Sequence, residues 1–142
     1  MPSPATKLLD GIAVAVEHAS GNVEPVLHEI RHALTRWLEE GTSTCIDLKG
    51  IPLAPGEEER IVAALGAGEV RAELAVLGRS ELIETACPGV WIVTHFDEGG
   101  AQQARFIEIT AVPQILRSQE ADIAAGLARL TARLASPSAG EP

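Results

Sequence analysis

The sequence predicts an α+β fold: an antiparallel sheet of about five strands with helices packed mainly on one face, in the order α-β-α-β-β-β-β-α. Three observations carry this. Between Ser80 and Phe96, β-branched and apolar runs starting at Leu82 and Val90 flank Pro88-Gly89, the pattern of two antiparallel strands around a tight turn. Proline has no ladder donor and glycine accepts positive φ, so both belong at the bend. Glu69 to Val76 alternates strictly, with Val70, Ala72, Leu74 and Val76 on one side and Glu69, Arg71 and Glu73 on the other, as in a strand with one wet side. From Val23 to Glu40, Leu27, Ile30, Leu34, Trp37 and Leu38 recur on one helix face, and Gly41 sits where a C-cap glycine belongs.

The remaining elements follow in order. Residues 1 to 22 form an N-terminal arm in which Ile12 to Val16 fits either a short strand or a packed segment. One domain spans 23 to 135, and a proline-, serine- and glycine-rich flexible tail closes the chain at 136 to 142. After the first helix, Thr42 to Leu48 reads as a strand ended by Gly50-Ile-Pro52. Pro55 opens a second helix, with Glu57, Glu58 and Glu59 as a solvated first turn facing the positive end of the dipole, Ile61, Val62 and Leu65 buried, and Gly66 closing it. Ala104 to Val112 supplies a further strand after the loop Asp97-Glu-Gly-Gly100. Four consecutive, short-looped strands favour a meander. Ser118 is an N-cap for a last helix whose face is Ile123, Leu127, Leu130 and Leu134.

Composition narrows the function classes. The chain has 142 residues, 46% hydrophobic, with only two Trp and two Phe, so its core is aliphatic. A net charge of −9 with eleven scattered Lys and Arg removes the attraction that drives binding to nucleic acid or to anionic membranes. No apolar run approaches the roughly 18 residues of a span, and Met1-Pro-Ser-Pro4 lacks a signal-peptide pattern, so a cytoplasmic location is expected. Cys45 and Cys87 are too few for a disulfide framework and are expected as small, buried, reduced strand residues.

His28-Glu29-Ile30-Arg31-His32 matches the H-E-x-x-H zinc-hydrolase signature. With Leu27, Ile30, Leu34, Trp37 and Leu38 on the buried side, the step of about 100° per residue turns both histidines toward water. No downstream ligand triplet follows, so a solvated face outweighs zinc hydrolysis, which is kept as an alternative. Gly66-Ala-Gly-Glu-Val-Arg71 leads from helix into strand, whereas a dinucleotide fingerprint runs from strand into helix; it reads as a turn. The cysteines and the four histidines show no ligand spacing, and neither Ser80 nor Thr85 has a histidine near it in sequence to activate it. No catalytic residue, metal ligand or cofactor is assigned.

Gly66-Ala-Gly-Glu-Val70, Glu84-Thr85 with Pro88-Gly-Val-Trp91, His95, Ile107-Glu108 and Pro113-Gln-Ile-Leu116 carry a resemblance, joined upstream by Ile46-Asp-Leu48 and Pro52-Leu53. In this order and spacing they resemble the C-terminal domain of the HupH/HyaF type of hydrogenase expression/formation proteins, from about Leu27 to the last helix. The resemblance implies an accessory protein for maturation of a nickel-iron uptake hydrogenase that binds a subunit precursor, most plausibly the small one. It implies no active-site residues. Longer members carry additional sequence before this domain, and whether this chain is a stand-alone paralogue or their equivalent stays open. The expected partner surface comprises Glu69, Arg71, Glu73, Glu84, Pro88, Gly89, Val90, Trp91, His95 and Glu108, a tryptophan, histidine and carboxylate patch beside the central turn. The partners expected are a hydrogenase subunit precursor and other maturation proteins. Self-association into a homodimer through the antiparallel sheet is the further alternative.

Overall fold

The computed structural model describes residues 21–75 and 78–136. Ile12 to Val16, Val76 and the tail from Pro137 lie outside the described residues. The chain falls into two compact units, one ending at Ala111 and the other starting at Val112.

In the first unit α1 (Val23–Glu40) is followed by β1 (Thr44–Asp47), a short 3-10 turn (Leu48–Gly50), α2 (Glu57–Leu65), and then β2 (Arg71–Leu74), β3 (Arg79–Glu84), β4 (Val90–Phe96) and β5 (Gln102–Ile109). All strand pairs are antiparallel and the order across the sheet is β1-β5-β4-β3-β2. The second unit holds a 3-10 turn (Gln114–Leu116) and α3 (Glu120–Ala135). This is the predicted α+β order.

Register fixes the two faces, because directly paired residues of an antiparallel sheet point the same way. Ile46, Ile107 and Ile92 pair in one row, and Ile109 with Val90 in the next. This face receives Val26, Ile30 and Ala33 of α1 and Ile61 of α2, forming a nearly all-aliphatic core with Leu48. Leu82, Trp91 and Val93 belong to the opposite face, and they too are buried. β4 is therefore shielded on both sides, which explains its unbroken Val-Trp-Ile-Val run.

Three expectations change. The second helix starts at Glu57 rather than Pro55, with Gly56 at its N-cap. Its first glutamate is not solvated: Glu57 is 1% exposed and accepts from the backbone N–H groups of Ala54 at 2.8 Å and Gly21 at 3.2 Å. Glu58 is half-buried between Arg105, at 3.0 Å, and Lys49, at 3.6 Å, leaving only Glu59 in water. These glutamates tie the start of α2 to the preceding turn and to β5 as well as complementing the helix dipole. Cys45 is exposed on β1 rather than buried, and Cys87 is intermediate. The Cys45 thiol is held above its ordinary range, first by partial desolvation and then by the Glu108 and Asp47 carboxylates. The last helix begins at Glu120, with Gln119 and not Ser118 at the cap position.

Candidate functional site

The site grows out of the turn between β3 and β4. Thr85 N–H donates to the Val90 carbonyl, Val90 N–H to that of Cys87, and the Thr85 hydroxyl both donates to the Cys87 carbonyl and accepts from Cys87 N–H. Gly89 takes φ +90°, a conformation that side chains with a Cβ rarely adopt. Its N–H donates to Glu84 Oε2 at 3.1 Å and its carbonyl accepts from Thr110 N–H at 2.9 Å. The turn is thus bolted both to the end of β3 and to the chain leaving β5.

On one side of this turn lies a cleft of about 350 Å³ walled by Leu34, Trp37 and Leu38 of α1, by Pro88 and Gly89, and by Ile109, Thr110 and Ala111, with Glu84 its single ionisable group. The apolar stripe of α1 is wider than the core needs. Val26, Ile30 and Ala33 fill its buried centre, while Leu27 and Leu34 pack at the margin. Leu38, expected on the buried side, is 78% exposed. The helix-capping hydrogen bond from Gly41 N–H to the Trp37 carbonyl fixes this last turn.

On the other side of Pro88 lies a second cleft, of about 360 Å³, walled by Ala67, Gly68, Glu69, Val70, Glu84, Thr85, Ala86 and Pro88. Its floor depends on a close backbone approach. Gly68 N–H donates to the Glu84 carbonyl at 2.9 Å, and a Cβ on Gly68 would collide with the carbonyl oxygens of Glu84 and Thr85. Both clefts share Glu84 and Pro88, and their ionisable lining is carboxylate alone.

The structure brings together Glu69, Glu84, Pro88 and Gly89 of the predicted patch and disperses the rest. Val90 and Trp91 are 0% and 4% exposed, so they support the turn from within. Arg71 and Glu73 pair with Ile83 and Glu81 and so lie on the helix-side face, opposite Trp91, Glu84, Glu108 and His95. There Arg71 bonds Glu81 at 2.7 Å and Glu73 meets Arg79 at 3.5 Å, both at the exposed end of the sheet. Glu108 is half-buried across from Trp91, and its carboxyl is pushed up by burial, an effect that His95 opposes. Sequence reasoning missed Leu34, Trp37, Leu38 and Ile109 as cleft residues. The signal available was the surplus width of the α1 stripe.

His95 meets a partner that is distant in sequence. Its Nδ1 lies 2.7 Å from Ser80 Oγ, fifteen residues away in sequence but directly opposite in register, and its ring meets Phe106 edge-on at 5.8 Å. The pair is a cross-strand hydrogen bond, and neither residue lines either cleft described above. His28 and His32 are exposed as expected, and the Arg31 guanidinium lies 3.3 Å from a ring nitrogen of each. Among the described residues no group of three or more His, Cys, Asp or Glu side chains is placed to hold a metal ion.

These features define a small α+β domain that presents a double, carboxylate-rimmed apolar cleft at one end of its sheet. A family model described as "HupH hydrogenase expression protein, C-terminal conserved region" matches residues 21–136, and the chain belongs to that family. The hydrogenase expression/formation protein HoxQ of Azotobacter vinelandii is 29% identical over 104 residues, covering 72% of this chain and 37% of that protein. The hydrogenase expression/formation protein HupH of Rhizobium leguminosarum bv. viciae is 24% identical over 135 residues, covering 92% and 48%. The solved hydrogenase expression protein HupH from Thiobacillus denitrificans ATCC 25259 shares 45% identity and superposes with a TM-score of 0.78, covering 83% of this chain and 98% of that one. The chain spans between 37% and 48% of the length of these two curated relatives. The family is the one that the sequence resemblance names. Among the described residues no helix is long and apolar enough to cross a membrane.

Proposed function

We propose that this domain acts by binding rather than by catalysis, holding a hydrogenase subunit precursor, the small subunit foremost, during assembly of a nickel-iron uptake hydrogenase in the cytoplasm. The observation that supports it most strongly is the cleft beside Pro88-Gly89, where Trp37 and Leu38 extend an apolar wall beyond the core and Glu84 offers a carboxylate at the rim. A wall of this kind suits an apolar anchor on a client segment, with a basic group for Glu84 and Glu69. β2 stands last in the strand order, so one side of it is unpaired among the described strands, and its Arg71 and Glu73 lie apart from the clefts, on the other sheet face from Glu84. Val90, Trp91 and the Glu84–Gly89 bond hold the surface in shape, and His95 and Glu108 lie behind it on the same sheet face as Trp91.

Co-purification tests this reading. A tagged chain expressed with the hydrogenase subunits is expected to retain a subunit precursor, and Leu38→Asp or Trp37→Ala is expected to reduce retention at least tenfold while leaving the far-ultraviolet spectrum unchanged. Full retention by folded Leu38→Asp would remove the cleft from the proposal. Elemental analysis of the same preparation covers the enzyme alternative: stoichiometric zinc lost on His32→Ala would overturn a pure binding role.

A further inference from the structure

We propose that β2 is a self-pairing edge, through which two copies of this chain join their sheets antiparallel about a two-fold axis at Ala72. β2 lies in the first unit with the rest of its sheet, last in the strand order, and among the described residues nothing pairs with its outer side. Hydrogen-bond parity says which groups that side offers. Glu84 N–H donates to the Val70 carbonyl at 2.9 Å, so the planar Val70–Arg71 peptide turns its carbonyl toward β3 and its N–H, that of Arg71, outward. The alternation of an antiparallel strand then directs the N–H and carbonyl of Arg71 and Glu73 away from the sheet, and those of Ala72 toward Leu82. The same parity holds one strand further in, where Thr85 N–H donates to the Val90 carbonyl and leaves Glu84 to face β2. An edge with open donors and acceptors is a template for another strand.

Charge and register point to a second copy. With the axis at Ala72, Arg71 lies opposite the partner's Glu73 and Glu73 opposite the partner's Arg71, and these are the residues whose backbone groups are open. Moving the axis to residue 71 would set Arg71 against its own copy, and moving it to residue 73 would do the same to Glu73, so charge selects one register. Around the axis the four side chains form a square with opposite charges along every side and like charges only across its diagonals. Arg71 and Glu73 have side chains 67% and 59% exposed, and each already meets one residue of β3, Glu81 at 2.7 Å and Arg79 at 3.5 Å. Pairing extends these contacts into a row of alternating sign on the helix-side face: Arg79, Glu73, the partner's Arg71, the partner's Glu81. On the opposite face half-exposed Val70 meets the partner's Leu74, and Ala72 meets its own copy, where a close pair needs a small side chain. β1, the other edge, reads Thr-Cys-Ile-Asp and has no cation to answer Asp47 in such a pair. A four-residue edge makes a short seam, so the pair is reversible and weakens with salt. Val70 also walls the second cleft, which therefore borders the pair.

Sedimentation or light scattering of the purified full chain across a concentration series reads this directly, with no client present. The expected mass rises with concentration from that of one chain toward twice that value. Glu73→Pro removes an N–H that faces away from the sheet, a change an edge strand accepts, and is expected to hold the mass at one chain throughout. Arg71→Glu alone and Glu73→Arg alone each set like charges opposite one another, and each is expected to raise the dissociation constant about tenfold. An equimolar mixture of these two variants makes both cross-strand contacts complementary again and is expected to regain the parent affinity. Each variant keeps its own contacts within the chain when mixed, so a merely structural effect would not be rescued, and the mixture keeps the test open if Glu73→Pro misfolds. A single-chain mass at every concentration, a dimer indifferent to Glu73→Pro, or charge variants that fail to recover on mixing would each overturn the proposal.

Discussion

Trp91 in β4 and Trp37 in the last turns of α1 use the same side chain in opposite ways. Trp91 is 4% exposed, flanked across the sheet by Glu84 and Glu108, and its buried indole N–H finds no acceptor among the described residues. Trp37 is half-buried at the rim of a cleft of about 350 Å³, beside a leucine that is 78% exposed. A strand shielded on both faces leaves its tryptophan no surface, whereas a helix whose stripe outruns its core leaves one in contact with water. An anchor residue is thus identified by what its element has left over after packing, and not by residue type alone.

The largest expected effect comes from the strand. Trp91→Ala should destabilise the domain by about 3–5 kcal/mol, the usual range for truncating a buried aromatic, as read by chemical denaturation. Trp91→Phe should cost much less, because it also deletes the unpartnered donor. If Trp91→Ala left the denaturation midpoint in place, the contrast between the two tryptophans would collapse. Gly68→Ala comes next. The new methyl would meet the carbonyl oxygens of Glu84 and Thr85, and relieving that overlap should cost about 1–3 kcal/mol and open the second cleft. Trp37→Ala should shift stability by less than about 1 kcal/mol, since its ring already touches water, and should show its effect in client retention instead.

Much of this architecture is legible in the amino-acid order, and the parts that are not share a cause. α1 occupies the predicted Val23–Glu40, because its stripe and its C-cap glycine are local signals. The central turn is equally local, since Pro88-Gly89 punctuates two β-branched runs. Register is not local. The five residues from Thr85 to Gly89 set Trp91 opposite Glu84 and His95 opposite Ser80, and only then do Arg71 and Glu73 fall on the other face. The burial of Glu57 depends on the chain folding back so that Ala54 and Gly21 offer N–H groups to one carboxylate. The cleft likewise draws its walls from α1, the turn and the end of β5, segments that no periodicity links.

Glu108 supplies the smallest effect and the sharpest probe of the half-buried side of this comparison. Burial raises its carboxyl above the ordinary glutamate value, and the His95 imidazole offsets only part of that. A carboxyl raised by folding binds its proton more tightly in the native state, so the native chain carries more protons between the unfolded value and the raised one. Stability therefore falls as pH rises through that window, the reverse of a salt-bridged carboxylate. At neutral pH the ionised Glu108 is a small liability that strand pairing tolerates beside Trp91. Glu108→Gln should thus raise the melting temperature slightly at pH 7, make no difference well below the ordinary carboxyl range, and flatten the mildly acidic slope of stability against pH. A variant less stable at pH 7 than the parent would show that the charge is held by a favourable partner, and would move Glu108 from the packed strand to the binding surface.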